Sequence, residues 1–240
     1  MEKVLLYIFI FLFALILISI IVCYLKIDVS FYDVKNKKID KNIKLMVLSD
    51  LHNRNIYKKL EILILKHNPD IIICGGDMVN EKIKKTDNFL KLTKLFRKYD
   101  TYYTFGNHED ELVDDEFEKY VKMINKTSVI LLNSKNTDLS KNIKLYGLDN
   151  EEETYMKFGK LCLSEGFIVS RLGEFDKKKF NILIAHNPLE FLSYVDVNAD
   201  LVLSGHVHGG LVRLPLIGPL LSPDYTFLPK YSQGLYKKNN

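Results

Sequence analysis

From Val4 to Leu25 the chain runs 22 residues without a charge, nearly all of them Ile, Leu, Val or Phe. As a helix, a run of that length spans a bilayer. A secretory signal would have a shorter apolar region and a small-x-small cleavage site. A lipoprotein signal would place a small residue before its cysteine, whereas Ile20-Ile21-Val22 precedes Cys23. The pattern therefore predicts a retained single-pass transmembrane anchor over residues 1–26. Lys3 lies before it, and Lys26, Lys35, Lys37, Lys38, Lys41 and Lys44 lie after it. The positive-inside rule then puts the main domain in the cytoplasm, but long domains cross largely regardless of charge. Lysine is abundant along the whole chain, so the side stays open. Residues 27–42 are polar and read as a juxtamembrane linker, with a short strand expected at Val29–Tyr32.

From residue 43 onward the pattern changes to alternating short apolar runs and amphipathic stretches. It predicts strands over Ile43–Leu48, Asp70–Cys74 and Thr101–Phe105, each followed by a helix, at Ile56–Lys66, Thr86–Lys98 and Glu111–Ile124. The continuous apolar run Ile71-Ile72-Ile73-Cys74 suits a strand covered on both faces. Shorter strands with turn residues between them follow at Ser128–Leu132, Thr137–Leu139 and Ile143–Leu148, which suggests antiparallel pairing. Residues 151–179 are poorly patterned, with a helix expected within Tyr155–Leu163. A strand at Phe180–Ala185, a helix, and a strand at Ala199–Leu203 complete the alternation. The tail, Leu211–Tyr236, holds four prolines and several apolar residues, among them Leu214–Leu221. That apolar stretch reads either as core packing or as a lip meeting membrane or a lipid substrate. Residues 43–240 form one soluble domain in this reading.

Composition narrows the function classes. The net charge of +4 is mild and scattered, with no arginine-rich tract, so no nucleic acid is expected as partner. Three cysteines without a Cys-x-x-Cys pair argue against a disulfide framework or a zinc-thiolate site.

The chemistry lies where the strands end. Five predicted strands finish in Asp50/His52, Asp77, Asn107/His108, His186 and His206/His208. Ligands of open α/β sheets gather beyond the carboxyl ends of strands. Each residue alone has a plainer reading: Asp50 and Asp77 as helix caps, Asn107 and His186 as turn residues. Those readings do not explain why all five strands end this way. The sixth histidine, His67, closes a helix before Asn68-Pro69 and reads as a residue placed against the helix dipole. Carboxylate, imidazole and amide ligands without thiolate suit Mn²⁺, Fe or Zn²⁺. The seven candidate ligands Asp50, His52, Asp77, Asn107, His186, His206 and His208 suit two ions bridged by one carboxylate. Such a pair clamps the attacking and leaving oxygens of an in-line phosphoryl displacement and lowers the pKa of a bound water.

The ordered set Asp-x-His, Gly76-Asp77-Met78-Val79-Asn80, Gly106-Asn107-His108-Glu109, a single His and Gly205-His206-Val207-His208 resembles the calcineurin-like metallophosphoesterases. The resemblance covers about Ile43 to Tyr236. Gly209-Gly210, Arg213-Leu214-Pro215 and Ile217-Gly218-Pro219 resemble the membrane-associated bacterial branch often called YkuE/YaeI-like. The resemblance implies an α/β fold, a four-layer sandwich of two mixed β-sheets flanked by helices. It implies that Asp50, His52 and His208 bind one divalent ion and Asn107, His186 and His206 the other, with Asp77 bridging. It makes His108 a catalytic residue that contacts the phosphoryl oxygen and stabilises charge or protonates the leaving group. It leaves Asn80 the task of orienting His108, and Arg213 either a second phosphate contact or a place on the rim. The implied activity is a phosphoesterase acting on phosphodiesters or pyrophosphates, on a small-molecule or lipid-linked substrate. The alternative is a lipid-nucleotide pyrophosphatase like the UDP-diacylglucosamine hydrolases.

Overall fold

The computed structural model describes residues 2–25, 27, 29–80, 87–149, 163–214 and 218–238. The expected helix within Tyr155–Leu163 and the residue Cys162 fall outside these, apart from Leu163. Two compact units make up the chain, one of residues 35–206 and one of residues 1–34 with 207–240.

The larger unit holds two four-stranded sheets. The first contains β1 (Leu45–Leu48), β2 (Ile71–Gly75), β3 (Asp100–Thr104) and β4 (Val129–Leu131), in that spatial order. All three pairings are parallel. Counted in chain order, α1 (Glu2–Leu25) belongs to the other unit, and α2 (Tyr57–His67), α3 (Asp87–Phe96), α4 (Asn107–Asp110) and α5 (Asp114–Ile124) make the crossovers here. The second sheet contains β5 (Lys135–Asp138), β6 (Ile143–Leu148), β7 (Phe180–Ala185) and β8 (Leu201–Leu203). There β5 runs antiparallel to β6, and β6, β7 and β8 are parallel. The helices α6 (Glu165–Leu172) and α7 (Phe191–Asp196) belong to this half. Among the described residues, only the second of these two sheets is mixed. The expectation of two mixed sheets is corrected for the first, and so is antiparallel pairing at Val129–Leu131. A helical connection separates β3 from β4, and helical crossovers return the chain parallel.

Period-two alternation sorts the strand side chains into three cores. Ile72, Cys74 and Tyr103 face Leu60, Ile64, Phe89, Leu92, Phe96, Tyr120 and Ile124 of α2, α3 and α5. On the opposite faces Ile71, Ile73 and Tyr102 meet Ile143, Leu145, Phe180, Ile182 and Ile184, so the two sheets pack face to face. Tyr146, Leu148, Leu183 and Ala185 then point to Ile168, Leu172 and Tyr194 of α6 and α7. The layers are helix, sheet, sheet, helix. A buried Leu or Ile contributes about 1.5–3 kcal/mol relative to exposure, so this seam of Ile and Leu fixes how the two sheets register.

Helix ends follow local chemistry. Asn68 takes the left-handed conformation after α2 and Pro69 follows it. His67 lies in that last turn, as expected. Asp114, Asp115 and Glu116 fill the first turn of α5, where the dipole favours anions. The side chain of Ser164 accepts from the Phe167 amide at the start of α6, a helix the sequence reading did not place.

In the smaller unit α1 is continuous from Glu2 to Leu25. At 1.5 Å per residue it is about 36 Å long. Many of its apolar side chains are exposed, Tyr7 and Phe9 among them. Taken over the described residues, no helix is long and apolar enough to cross a membrane; the span expected over Val4–Leu25 is therefore not shown. Residues 29–32 form no strand. The tail forms an antiparallel pair the sequence reading did not foresee, β9 (Val212–Leu214) with β10 (Gly218–Leu221). Arg213 donates through Nη1 to the Gly209 carbonyl at 2.8 Å.

Candidate metal centre

Every site residue of the larger unit stands in the first residues after a strand. Asp50 and His52 follow β1, Asp77 follows β2, Asn107 and His108 open α4 after β3, His186 follows β7, and His206 follows β8. The loops stay hydrogen-bonded after the strands stop. Asp50 donates its amide to the Gly76 carbonyl at 3.1 Å, and His52 donates to Asp77 at 2.9 Å. Gly205 donates likewise to His186 at 3.0 Å. The chain then turns sharply after β1, β2 and β8. Asp50, His52, Asn53, Asp77 and His206 all have φ between 47° and 67°. That left-handed region is uncommon for residues with a Cβ, and it aims these side chains back over the ends of the sheets.

Contacts of His186 and His206 stitch one sheet's loops to the other's. His186 Nδ1 lies 2.7 Å from the Gly75 carbonyl. That contact places the ring proton on Nδ1 and turns Nε2 toward Asp77 Oδ2 at 3.1 Å and Asp50 Oδ1 at 3.8 Å. His206 donates its amide to Asp50 Oδ1 at 2.8 Å, and its Nδ1 lies 3.1 Å from Asn107 Oδ1. Glycine is required where the chains pass. A Cβ on Gly76 would strike the His186 ring, one on Gly106 would strike Asp77 Oδ1, and one on Gly205 would strike Ser49 Oγ.

Two ligand groups result. Asp50, His52 and Asp77 each offer an atom, all within 4.8 Å of one another, and so do Asp77, His186 and His206. Asp77 belongs to both. Asn107 joins the second group through its contact with His206. The donor set of imidazole and carboxylate fits hard-to-borderline divalent cations. Asp77, His186 and His206 are buried, Asp50 and His52 half-buried. His208 lies two residues beyond His206, at the start of the smaller unit's second segment, exposed and with φ of 54°. His108 is placed differently from the ligands. Its ring stands edge-on to His52 with centroids 4.6 Å apart. Its Nε2 is 3.8 Å from Asp77 Oδ2 and its Nδ1 is 4.0 Å from Glu111 Oε2.

The electrostatics belong to a centre built for cations. Burial would raise the Asp77 carboxyl, but His186 and His108 outweigh it and hold Asp77 well below the usual carboxylate range. Burial works against a charged His186, yet Asp77, and more weakly Asp50, take it up to about 9. A proton on His186 thus sits where a divalent ion would compete for the same lone pair.

Three carboxyl groups were missed from sequence. Glu109, fully buried, accepts from the amides of Asp77, Met78, Val79 and Gly106. Its burial and the neighbouring Asp77 push it up to about 7 against the pull of those amides. It was legible in one respect: three residues after Gly106, it reaches back to that amide as half of a capping box. Asp110 is pushed up to about 8 by burial and then by Asp149, Glu109 and Asp77. Asp149 directly follows β6, whose Leu148 pairs with Ala185, so it is the strand-end neighbour of His186. Its signal was a carboxylate closing an apolar strand, the same signal that marked the candidate ligands Asp50 and Asp77.

A family profile described as calcineurin-like phosphoesterase matches residues 43–210. Over 92% of its length the chain is 30% identical to an uncharacterised metallophosphoesterase of Campylobacter jejuni, of which it covers 58%. It is 25% identical to the metallophosphoesterase YkuE of Bacillus subtilis, over 79% of this chain and 64% of that protein. It is 24% identical to the phosphodiesterase YaeI of Escherichia coli, over 75% of this chain and 66% of that protein. The chain spans about half to two thirds of the length of these and other curated relatives.

Proposed function

The chain belongs to the calcineurin-like phosphoesterases, and from that premise we propose that it hydrolyses phosphodiester or pyrophosphate bonds with two divalent cations. The observation that carries the reading is the sharing of Asp77 between two ligand groups. Carried over by motif, Asp50, His52 and His208 take one ion and Asn107, His186 and His206 the other. When bound, the ions supply Lewis acidity to a phosphoryl oxygen and bring the pKa of water near neutrality.

The remaining work belongs to the side chains. Asp77 stays ionised in the buried centre, so it can face two cations at once. His186 gives its Nδ1 proton to Gly75 and presents Nε2. His108, its ring nitrogens 3.8 Å from Asp77 Oδ2 and 4.0 Å from Glu111 Oε2, is the side chain that would contact a phosphoryl oxygen or serve as proton donor to the leaving group. Identity to a phosphodiesterase supports the diester over the monoester.

The membrane anchor is part of the proposal, supported by the exposed apolar side chains of α1. It would make the protein single-pass and a lipid-linked substrate natural. The exposed Phe227 and Leu228 in the same unit favour a second reading, hydrolysis of a lipid-nucleotide pyrophosphate.

The test is cleavage of bis-p-nitrophenyl phosphate beside the monoester, with metal-stripped protein given back Mn²⁺ or Zn²⁺. Metal-restored diester cleavage is the expected result. Cleavage of the monoester alone would make the protein a phosphatase. Silence on both, with two metals bound and a lipid pyrophosphate cleaved, would favour the second reading. Silence with no metal bound would refute both.

A further inference from the structure

Glu109 is fully buried and is not among the candidate ligands, yet both of its oxygens are saturated by backbone donors. Oε1 accepts from the amides of Met78 at 2.7 Å and Val79 at 3.1 Å. Oε2 accepts from Asp77 at 2.9 Å and Gly106 at 2.8 Å. Three of these amides belong to the loop after β2 and the fourth to the loop after β3. Close by in the same core, the Tyr103 hydroxyl meets the Tyr120 hydroxyl at 2.9 Å.

The consequence is geometric. The residue between the two ion groups, Asp77, has its backbone fixed by this carboxylate. Gly106, which must pass close beside Asp77, is fixed by the same oxygen. Asn107 and His108 follow Gly106 directly, and the His108 amide in turn donates to Asp77 Oδ1 at 3.0 Å. One buried carboxyl side chain thereby sets the spacing between the shared ligand Asp77, the amide ligand Asn107 and His108. A glutamine fills the same volume but would turn an NH₂ group toward two N–H donors. An aspartate keeps the charge but is one methylene too short to reach both loops. Charge-assisted bonds to a buried carboxylate are the stronger kind, and leaving buried donors unmatched is costly.

We infer that Glu109 is a positioning residue whose carboxylate locks the two loops carrying Asp77, Asn107 and His108 into the arrangement the ion pair and the substrate require. The inference rests on the phosphoesterase reading for its turnover measurement and on the Asp/His cluster alone for its metal measurement.

The experiment uses the full chain in detergent. Mn²⁺ affinity is measured by calorimetry on wild type, Glu109→Gln and Glu109→Asp, with melting temperature and diester kinetics alongside. Partners that hold metal ligands in place typically account for about 10–100-fold in affinity or activity. Both variants should lose Mn²⁺ affinity by that factor and lose kcat by as much, with KM shifted by less than about threefold. Variants within about threefold of wild type in affinity and kcat would overturn the inference. So would a lowered melting temperature with Mn²⁺ affinity intact, since that marks a residue of stability alone. If Glu109→Gln does not fold, Glu109→Asp decides by the same thresholds. A wild-type chain that binds Mn²⁺ but cleaves no ester would sink the phosphoesterase reading only, and the affinities would still decide on Glu109. A wild-type chain that binds no Mn²⁺ would overturn both.

Discussion

Asp77 and His108 sit 3.8 Å apart and do different work. Asp77 is buried, ionised and common to both ligand groups. Replacing it by Ala should bring metal content below one ion per chain and activity to background. Elemental analysis after gel filtration checks this, and two retained ions would contradict the shared role. His108 is half-exposed and belongs to neither group. Its replacement by Ala should lower kcat about 10²–10⁴-fold, the range for a lost proton donor, while metal content stays as in wild type. Loss of metal in that variant would make His108 a ligand. At this scale the sequence was most legible, because each ligand occupies a short polar run at the end of an apolar strand, and the runs at Asp77, Asn107 and His206 also carry a glycine. Gly76, Gly106 and Gly205 are where they are because a Cβ would strike the centre. Glu109 was quoted in such a run but not assigned, since a carboxylate that serves backbone amides leaves no spacing pattern between side chains.

Elements were legible where apolar periodicity was strong, and less so elsewhere. Strands β1, β2, β3 and β7 start or stop within two residues of expectation, because runs rich in Ile, Leu and Val mark three of them and Thr101-Tyr102-Tyr103-Thr104-Phe105 marks β3. The helix expected over Glu111–Ile124 begins at Asp114 as α5, and a separate short helix not expected from the sequence, α4 (Asn107–Asp110), places His108 on a helical turn. Helix α6 escaped notice amid poorly patterned residues, and the β9–β10 pair hid among prolines. Helix α4 also carries a testable charge. Asp110 has a folded-state pKa of about 8 against 3.8 for the unfolded chain, so the folded state keeps a proton the unfolded state has released. Stability is therefore lost steadily between about pH 4 and pH 8, with no further loss from this group above 8. His186, raised to about 9 from 6.5, contributes stability that is lost as pH rises through 9. Asp77, depressed, contributes a constant amount above about pH 4. Metal-stripped protein should therefore melt lower at pH 8.5 than at pH 5.5, by on the order of 5 °C at this size. Asp110→Asn should flatten the profile, and scanning calorimetry across that range decides it. A profile rising with pH would mean the buried acids are not protonated.

At the scale of the whole molecule, α1 sets an expectation of its own. Full-length protein should float with phosphatidylcholine vesicles in a density gradient and resist carbonate extraction, and a chain lacking residues 1–26 should do neither. Extraction of the full-length chain would remove the anchor from the proposal. What composition and periodicity could not supply was the pairing of the two sheets. Ile71, Ile73, Ile182 and Ile184 read as buried, but nothing in a one-dimensional pattern says that they face each other. That seam has a kinetic consequence. The first sheet is drawn from residues 45–131 and the second from residues 135–203, so each half is contiguous in the chain. Pairings within a half close short loops and form early, whereas contacts between halves close long ones. Asp50, Asp77 and Asn107 come from one half and His186 and His206 from the other, so the centre does not exist until the halves have docked. In a refolding experiment helix and strand signals should return first and Mn²⁺ binding should lag behind them. Added Mn²⁺ should hold the docked halves together and slow unfolding, leaving the early phase of folding unchanged.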